Sequence, residues 1–153
     1  MELLVKKLKD NAIVPLRATD GSAGYDLSAC IDEPMDIQPG EIKKIPIGIS
    51  VEAKDCGNCV LLIYARSSLA TKHGITLPNC VGVVDSDYRG EIIVPLINLS
   101  DKHYTVAPAE RVAQLVVTPV LLPEVREASE LSQTVRGEGG FGSTGTASLS
   151  HST

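Results

Sequence analysis

The chain is interrupted too often to be helical. Pro, Gly, Asn and Asp recur between short runs rich in Val and Ile. Residues 41–50 read E-I-K-K-I-P-I-G-I-S, where Ile45, Ile47 and Ile49 alternate with smaller or polar residues. That period of two puts alternate side chains on one face of a strand. Pro39-Gly40 opens the run with a turn. Further β-type runs are read at 3–8, 26–31, 35–38, 41–53, 59–65, 75–84, 91–99, 103–106 and 110–120. Branched residues suit such pleated, half-buried surfaces. Many short strands with frequent turn signals predict an all-β sandwich, jelly roll or barrel. One short helix is predicted at Ser67–His73, and Pro123–Leu131 is read as a further turn. After about residue 120 the alternation stops, so the remainder is expected to run outside the sheet core.

A length of 153 residues suits one domain with a buried core. The net charge of -5 argues against a broad nucleic-acid-binding surface. An anionic ligand would need local Arg residues or a bridging metal ion. No apolar run approaches the ~18 residues of a membrane span, and MELLVKKLKD lacks the apolar stretch of a signal peptide. The expected setting is the cytoplasm, where the four Cys are free thiols. Cys56 and Cys59 form one CxxC, but Cys80 and the three His show no matching zinc spacing. A Gly57-Asn58 turn between two strands is the simpler reading.

Five segments look over-specified for packing alone. In Ala23-Gly24-Tyr25-Asp26-Leu27, Asp26 enters a strand directly after a Gly turn. It either satisfies the turn or faces a pocket. In Ala65-Arg66-Ser67-Ser68-Leu69-Ala70, a guanidinium and two hydroxyls gather where a strand gives way to the helix. They favour an anion, although a Ser N-cap beside a solvated Arg is the simpler account. The stretch Asn79 to Glu91 reads as a hairpin with Asp85, Asp87, Tyr88, Arg89 and Glu91 crowded at its distal end. A carboxylate there could activate a water, and Tyr88 could pack on a sugar ring. Gln114 interrupts the apolar strand Glu110-Arg111-Val-Ala-Gln114-Leu-Val-Val. It either meets a backbone need in the core or faces a site and orients a water, since a buried amide without partners costs about 1–3 kcal/mol.

The fifth segment is Arg136-Gly-Glu-Gly-Gly-Phe141-Gly-Ser-Thr-Gly145, five of whose ten residues are Gly and which holds the only Phe. It reads as a disordered tail, or as a flap for a ligand with a flat ring at one end and phosphates at the other. Gly137 and Gly142 have the spacing of a phosphate-binding P-loop, but the Lys is absent and no strand feeds into it.

In this order and spacing, the five segments resemble the five motifs of the trimeric dUTP pyrophosphatases (dUTPases). The matching stretches are AGYDLSA at 23–29, ARSSLA at 65–70, NCVGVVDSDYRGEI at 79–92, ERVAQL at 110–115 and RGEGGFGSTG at 136–145. One departure is Ala65, where many relatives carry Pro. The resemblance implies a distorted jelly-roll β-barrel with one short helix over 1–135. It also implies a flexible C-terminal arm over 136–153 that reaches a neighbouring subunit of a homotrimer. Each site would then be built from three chains. One would supply the first, second and fourth motifs, another the hairpin, a third the arm.

The implied reaction converts dUTP and water to dUMP and diphosphate, with Mg2+ bridging the triphosphate. It would limit uracil incorporation into DNA and supply dUMP for dTMP synthesis. Asp85 is implied as the general base and Gln114 as the residue positioning the water. Asn79 and hairpin backbone groups about Val84 would read the uracil edge, and Tyr88 would lie against the deoxyribose. Arg66, Ser67 and Ser68 would hold phosphates, and Asp26 would contact Mg2+ through water. Arg136, Gly142, Ser143 and Thr144 would bind the terminal phosphates while Phe141 stacks on uracil. No nucleic-acid or membrane partner is expected. A dCTP deaminase of the same superfamily, or a nucleotide-sensing module, is the alternative.

Overall fold

The period-two runs become eleven strands and one short helix in the computed structural model, which describes residues 1–140. The strands are β1 (Glu2–Lys7), β2 (Tyr25–Ser28), β3 (Met35–Ile37), β4 (Ile42–Pro46), β5 (Ile49–Lys54) and β6 (Cys59–Ala65). Helix α1 (Ser67–His73) follows, then β7 (Ile75–Thr76), β8 (Val81–Val84), β9 (Ile93–Asn98), β10 (Tyr104–Val106) and β11 (Arg111–Pro119). They form four small antiparallel sheets, ordered β2-β11-β6-β8, β4-β9-β7, β1-β5 and β3-β10. Strands distant in sequence pair throughout, as a jelly roll requires, and one cluster of apolar side chains fills the interior. Leu27, Ile45, Leu61, Ile75, Leu96 and Leu115 are fully buried there, each stabilising by roughly 1.5–3 kcal/mol. The expected all-β jelly-roll subunit with one helix is therefore what forms.

Helix α1 has the expected bounds. Leu69 is its buried anchor, and Gly74 closes it in the left-handed conformation (φ 66°), donating its N–H to the Ala70 carbonyl at 3.2 Å.

Four sequence readings need correction. The run 41–53 is two strands, because Gly48 takes φ 72° and breaks it. A side chain there would press on Ala12 Cβ at 2.9 Å and on Cys30, so only glycine fits. The kink passes the chain from the β9 sheet to the β1 sheet. The run 75–84 is also two strands, separated by a turn over Leu77–Cys80 that contains Pro78 and ends on Cys80 at φ 63°. The stretch 79–91 is not a hairpin, because β8 pairs with β6 whereas β9 pairs with β4 and β7. Its returning arm is held instead by residues 47–49, through Ile47 N–H to the Ile92 carbonyl at 3.0 Å and Ile92 N–H to the Ile49 carbonyl at 2.8 Å. Finally, Pro123–Leu131 forms no helical turn. Its apolar side chains, Val125 and Leu131 among them, are exposed and offer no burial to offset a costly helix nucleus.

The described residues divide into two units, one of residues 1–122 and a second that begins at Pro123. Within the second, a turn links the Thr134 carbonyl to the Gly137 N–H at 3.1 Å, and Arg136 Nε donates to the Gly139 carbonyl at 2.8 Å. Among the described residues, no helix is long and apolar enough to cross a membrane.

Candidate active site

Strand β11 lies between β2 and β6, and its register sets Gln114 opposite Asp26 on one side and Tyr64 on the other. These three share the outer face of the sheet, because Leu27, Ile63, Ala113 and Leu115 occupy the buried face. Here the sheet borders a cleft of about 390 Å3, which Gly24, Arg66, Ser67, Ser68 and Arg111 also line.

Charge pairing organises the cleft. Asp26 accepts from Arg66 Nε at 3.1 Å through one oxygen and from Arg111 Nη1 at 2.9 Å through the other. Arg66 Nη1 also donates to the Arg111 carbonyl at 3.3 Å. Arg66 is therefore not the solvated arginine of the simpler reading, and no serine caps the helix. The N-cap is Arg66 itself, extended at φ -83° and ψ 134°, with no side-chain cap. Ser67 and Ser68 are the first helical residues, exposed beside the cleft. Two cations on one carboxylate hold both guanidiniums in fixed positions, an arrangement suited to a multiply charged anion.

Gln114 both meets a backbone need and faces the cleft. Its Nε2 donates to the Ala65 carbonyl at 3.1 Å, and the residue also lines the cleft. Gly24 packs directly on it: a Cβ at Gly24 would fall 2.6 Å from Gln114 Oε1.

Asp85 and Tyr88 lie elsewhere. They line a second pocket of about 220 Å3 with Ile63, Val84, Glu91 and Ile92. The two pockets share no lining residue; the consecutive β6 residues Ile63 and Tyr64 contribute one to each. Tyr88 N–H donates to the Asp85 carbonyl and Tyr88 OH to the Glu91 carbonyl, both at 3.1 Å, which fixes a tight loop. Asn79 sits exposed in the turn before β8 and is not among the lining residues of either pocket. Arg136 is exposed in the second unit. Phe141, Gly142, Ser143 and Thr144 lie outside the described residues.

The structure gives contacts to Arg111, Glu91 and Gly24, which the sequence named without a role, and adds Tyr64, which it did not name. Arg111 has a partner, Asp26, and Glu91 accepts the Gly48 N–H at 2.9 Å. Gly24 and Tyr64 line or support the cleft. That Tyr64 shares a face with its register partner Gln114 is visible only after folding.

No cluster of three or more His, Cys, Asp or Glu positioned to hold a metal occurs among the described residues. The CxxC spans a turn, with Gly57 at φ 67° and Cys59 buried at the start of β6. Hydrogen bonding with Cys56 and burial push the Cys59 thiol up to about 11.

The dUTPase family model matches residues 10–145. A deoxyuridine 5'-triphosphate nucleotidohydrolase of Hydrogenobaculum sp. (strain Y04AAS1) is 50% identical over 145 residues, covering 95% of this chain and 99% of the relative. One from Neisseria meningitidis serogroup A is 46% identical, covering 95% of each. Among solved structures, the Staphylococcus bacteriophage 80alpha dUTPase with dUPNHPP is 28% identical with a TM-score of 0.84, covering 95% of this chain and 99% of that one. With jelly-roll fold, motif order and relatives in agreement, the chain belongs to the dUTPase family.

Proposed function

We propose that this protein hydrolyses dUTP to dUMP and diphosphate by water attack on the α-phosphorus, at sites shared among three copies of the chain. The observation that carries the shared site is the division of the motifs. Arg66, Ser67, Ser68, Asp26 and Gln114 border one pocket, whereas Asp85, Val84 and Tyr88 border another. Neither pocket unites a prospective base with the cationic cleft, so a complete site needs the second pocket of another copy. The outer sheet face beside the cleft supports this, since Leu62 and Val116 are only half-buried and Val83 is exposed. A neighbouring chain would cover them.

In the assembled site, Asp85 takes the proton of the attacking water, and Gln114 orients that water with an amide already held by Ala65. Arg66, Ser67 and Ser68 bind phosphate oxygens. Tyr88 lies against the deoxyribose and rejects a 2′-hydroxyl. Asn79 and the backbone about Val84 read the uracil edge. Residues 136–153 act as an arm, with Arg136, Gly142, Ser143 and Thr144 on the terminal phosphates and Phe141 over the base. Phosphoryl transfer calls mainly for alignment and charge neutralisation, which this set supplies.

The residues fit Mg2+ only in substrate-borne form. Among the described residues the cleft offers one carboxylate, Asp26, and no cluster that would cage a metal. Mg2+ retains several waters and is commonly carried by substrate phosphates, so Asp26 would accept from a coordinated water. When bound, the ion neutralises triphosphate charge. Consumption of dUTP limits uracil incorporation into DNA and yields dUMP for dTMP synthesis.

The test offers dUTP, dCTP, dTTP and UTP with Mg2+ and measures diphosphate and ammonia. Diphosphate release from dUTP well above the other three is expected. Equal rates, or ammonia from dCTP, would overturn the assignment.

A further inference from the structure

We infer that Glu91 is the positioning residue that fixes Tyr88, and through it the discrimination between deoxyribose and ribose. The inference rests on the reading that Tyr88 lies against the sugar.

Tyr88 is held by the backbone just after it. Its OH donates to the Glu91 carbonyl at 3.1 Å, and its ring folds over Gly90. A Cβ at Gly90 would lie 3.0 Å from Tyr88 Cε2 and closer still to the ring's polar end, so the ring leaves no room for a side chain. The tyrosine is nonetheless 47% exposed, so one part of it is braced and the rest is presented to the pocket. Its placement therefore depends on where the backbone of residues 90–91 sits.

That backbone is tied laterally through Glu91. One carboxylate oxygen accepts the Gly48 N–H at 2.9 Å, in a partly buried setting. Gly48 is a rigid anchor, because its φ of 72° and the packing of Ala12 and Cys30 against it exclude any side chain. The Gly48 N–H points out of the strand ladder at the break between β4 and β5, so losing Glu91 would leave this donor unpaired. The Ile47–Ile92 and Ile92–Ile49 hydrogen bonds continue the same seam. Glu91 thus couples the strand break to the loop that carries Tyr88. It needs an acceptor oxygen at that point, not a negative charge.

The test compares kcat/KM for dUTP and UTP in the wild type and in Glu91→Gln, Glu91→Ala, Tyr88→Ala and the double Glu91→Ala/Tyr88→Ala. Glu91→Gln keeps the acceptor and is expected to hold the dUTP-to-UTP ratio within about threefold of wild type. Glu91→Ala is expected to lower the ratio at least about tenfold, towards Tyr88→Ala, with the double variant no worse than Tyr88→Ala alone. If Glu91→Ala fails to fold, Glu91→Asp withdraws the carboxylate by one methylene and carries the same expectation. A wild-type ratio in Glu91→Ala or Glu91→Asp, alongside a collapsed ratio in Tyr88→Ala, overturns the role of Glu91. Glu91→Gln as damaging as Glu91→Ala overturns the acceptor argument. An unchanged ratio in Tyr88→Ala overturns the sugar contact itself, and the inference with it.

Discussion

Adding a single methyl group at Gly24 isolates the work of Gln114. A Cβ at this position would lie 2.6 Å from Gln114 Oε1, about 0.8 Å inside the ordinary contact limit of 3.4 Å, and 3.3 Å from Gln114 Cβ. Gly24 is not among the glycines with positive φ, so alanine fits its backbone and the strain falls on the amide. Gln114 would move by nearly an ångström or lose its bond to the Ala65 carbonyl. That bond is worth about 0.5–1.5 kcal/mol, and reduced unfolded-state freedom returns roughly 0.4–1 kcal/mol. The net loss of stability is then about 1 kcal/mol or less, a Tm shift of about 2–4 °C for a domain of this size. Displacing a water-orienting group by 1 Å can lower the rate about 10²-fold. Gly24→Ala should therefore lose about two orders of magnitude in kcat with Tm nearly unchanged. Diphosphate release at saturating dUTP and thermal unfolding measure the two quantities. The double variant Gly24→Ala/Gln114→Ala should be no slower than Gln114→Ala alone, because both act on one group. A kcat for Gly24→Ala within threefold of wild type, or fully additive losses, would refute the reasoning.

Three further outcomes are expected. Asp85→Asn should lower kcat by about 10²–10⁴-fold while a non-hydrolysable dUTP analogue still binds, as calorimetry would measure; retained turnover removes Asp85 from the role of base. A chain ending at residue 135 should keep its fold and assembly, because the core residues of the described structure end at Val117, yet lose most activity. Circular dichroism and gel filtration check this, and a truncated chain that fails to fold makes the arm structural. At pH 8, iodoacetamide should modify exposed Cys80 first and leave buried Cys59 intact by mass spectrometry. Since the Cys59 value is raised from 9.0 to about 11, its contribution to stability is complete below about pH 9 and is lost as pH climbs through about 11. A flat unfolding profile across that window would contradict the raised value.

Local rules made parts of the fold legible. Helix α1 was readable to the residue because Arg66 ends an apolar strand and Gly74 supplies a left-handed stop. Strand β6 was readable as a short apolar run, Cys59 to Ala65, bounded by the Gly57-Asn58 turn and by Arg66. The break at Gly48 was not, because the run continues apolar across it as Ile47 and Ile49, whereas the break over Leu77–Cys80 does carry a local sign, Pro78-Asn79. What distinguishes Gly48 is a side chain 18 residues earlier, Cys30, that fills the space a Cβ would need. The hairpin misreading has the same origin, since the arm after Glu91 pairs with residues 47–49, far from β8. In the site, the composition of each motif suggested anion binding, but the pairing of Asp26 with Arg66 and Arg111 spans 40 and 85 positions and exists only once β2, β6 and β11 are adjacent. Asn79 was chosen by resemblance, and its exposed turn in the single chain carries no local sign of the role.

The division of the motifs between two pockets has a genetic consequence. In the proposed trimer, a lesion at Arg66 and a lesion at Asp85 damage different halves of each site. Two alleles, each null alone, would therefore complement when co-expressed, since some mixed trimers would bring an intact cleft against an intact Asp85 pocket. Two lesions within the same pocket would not complement.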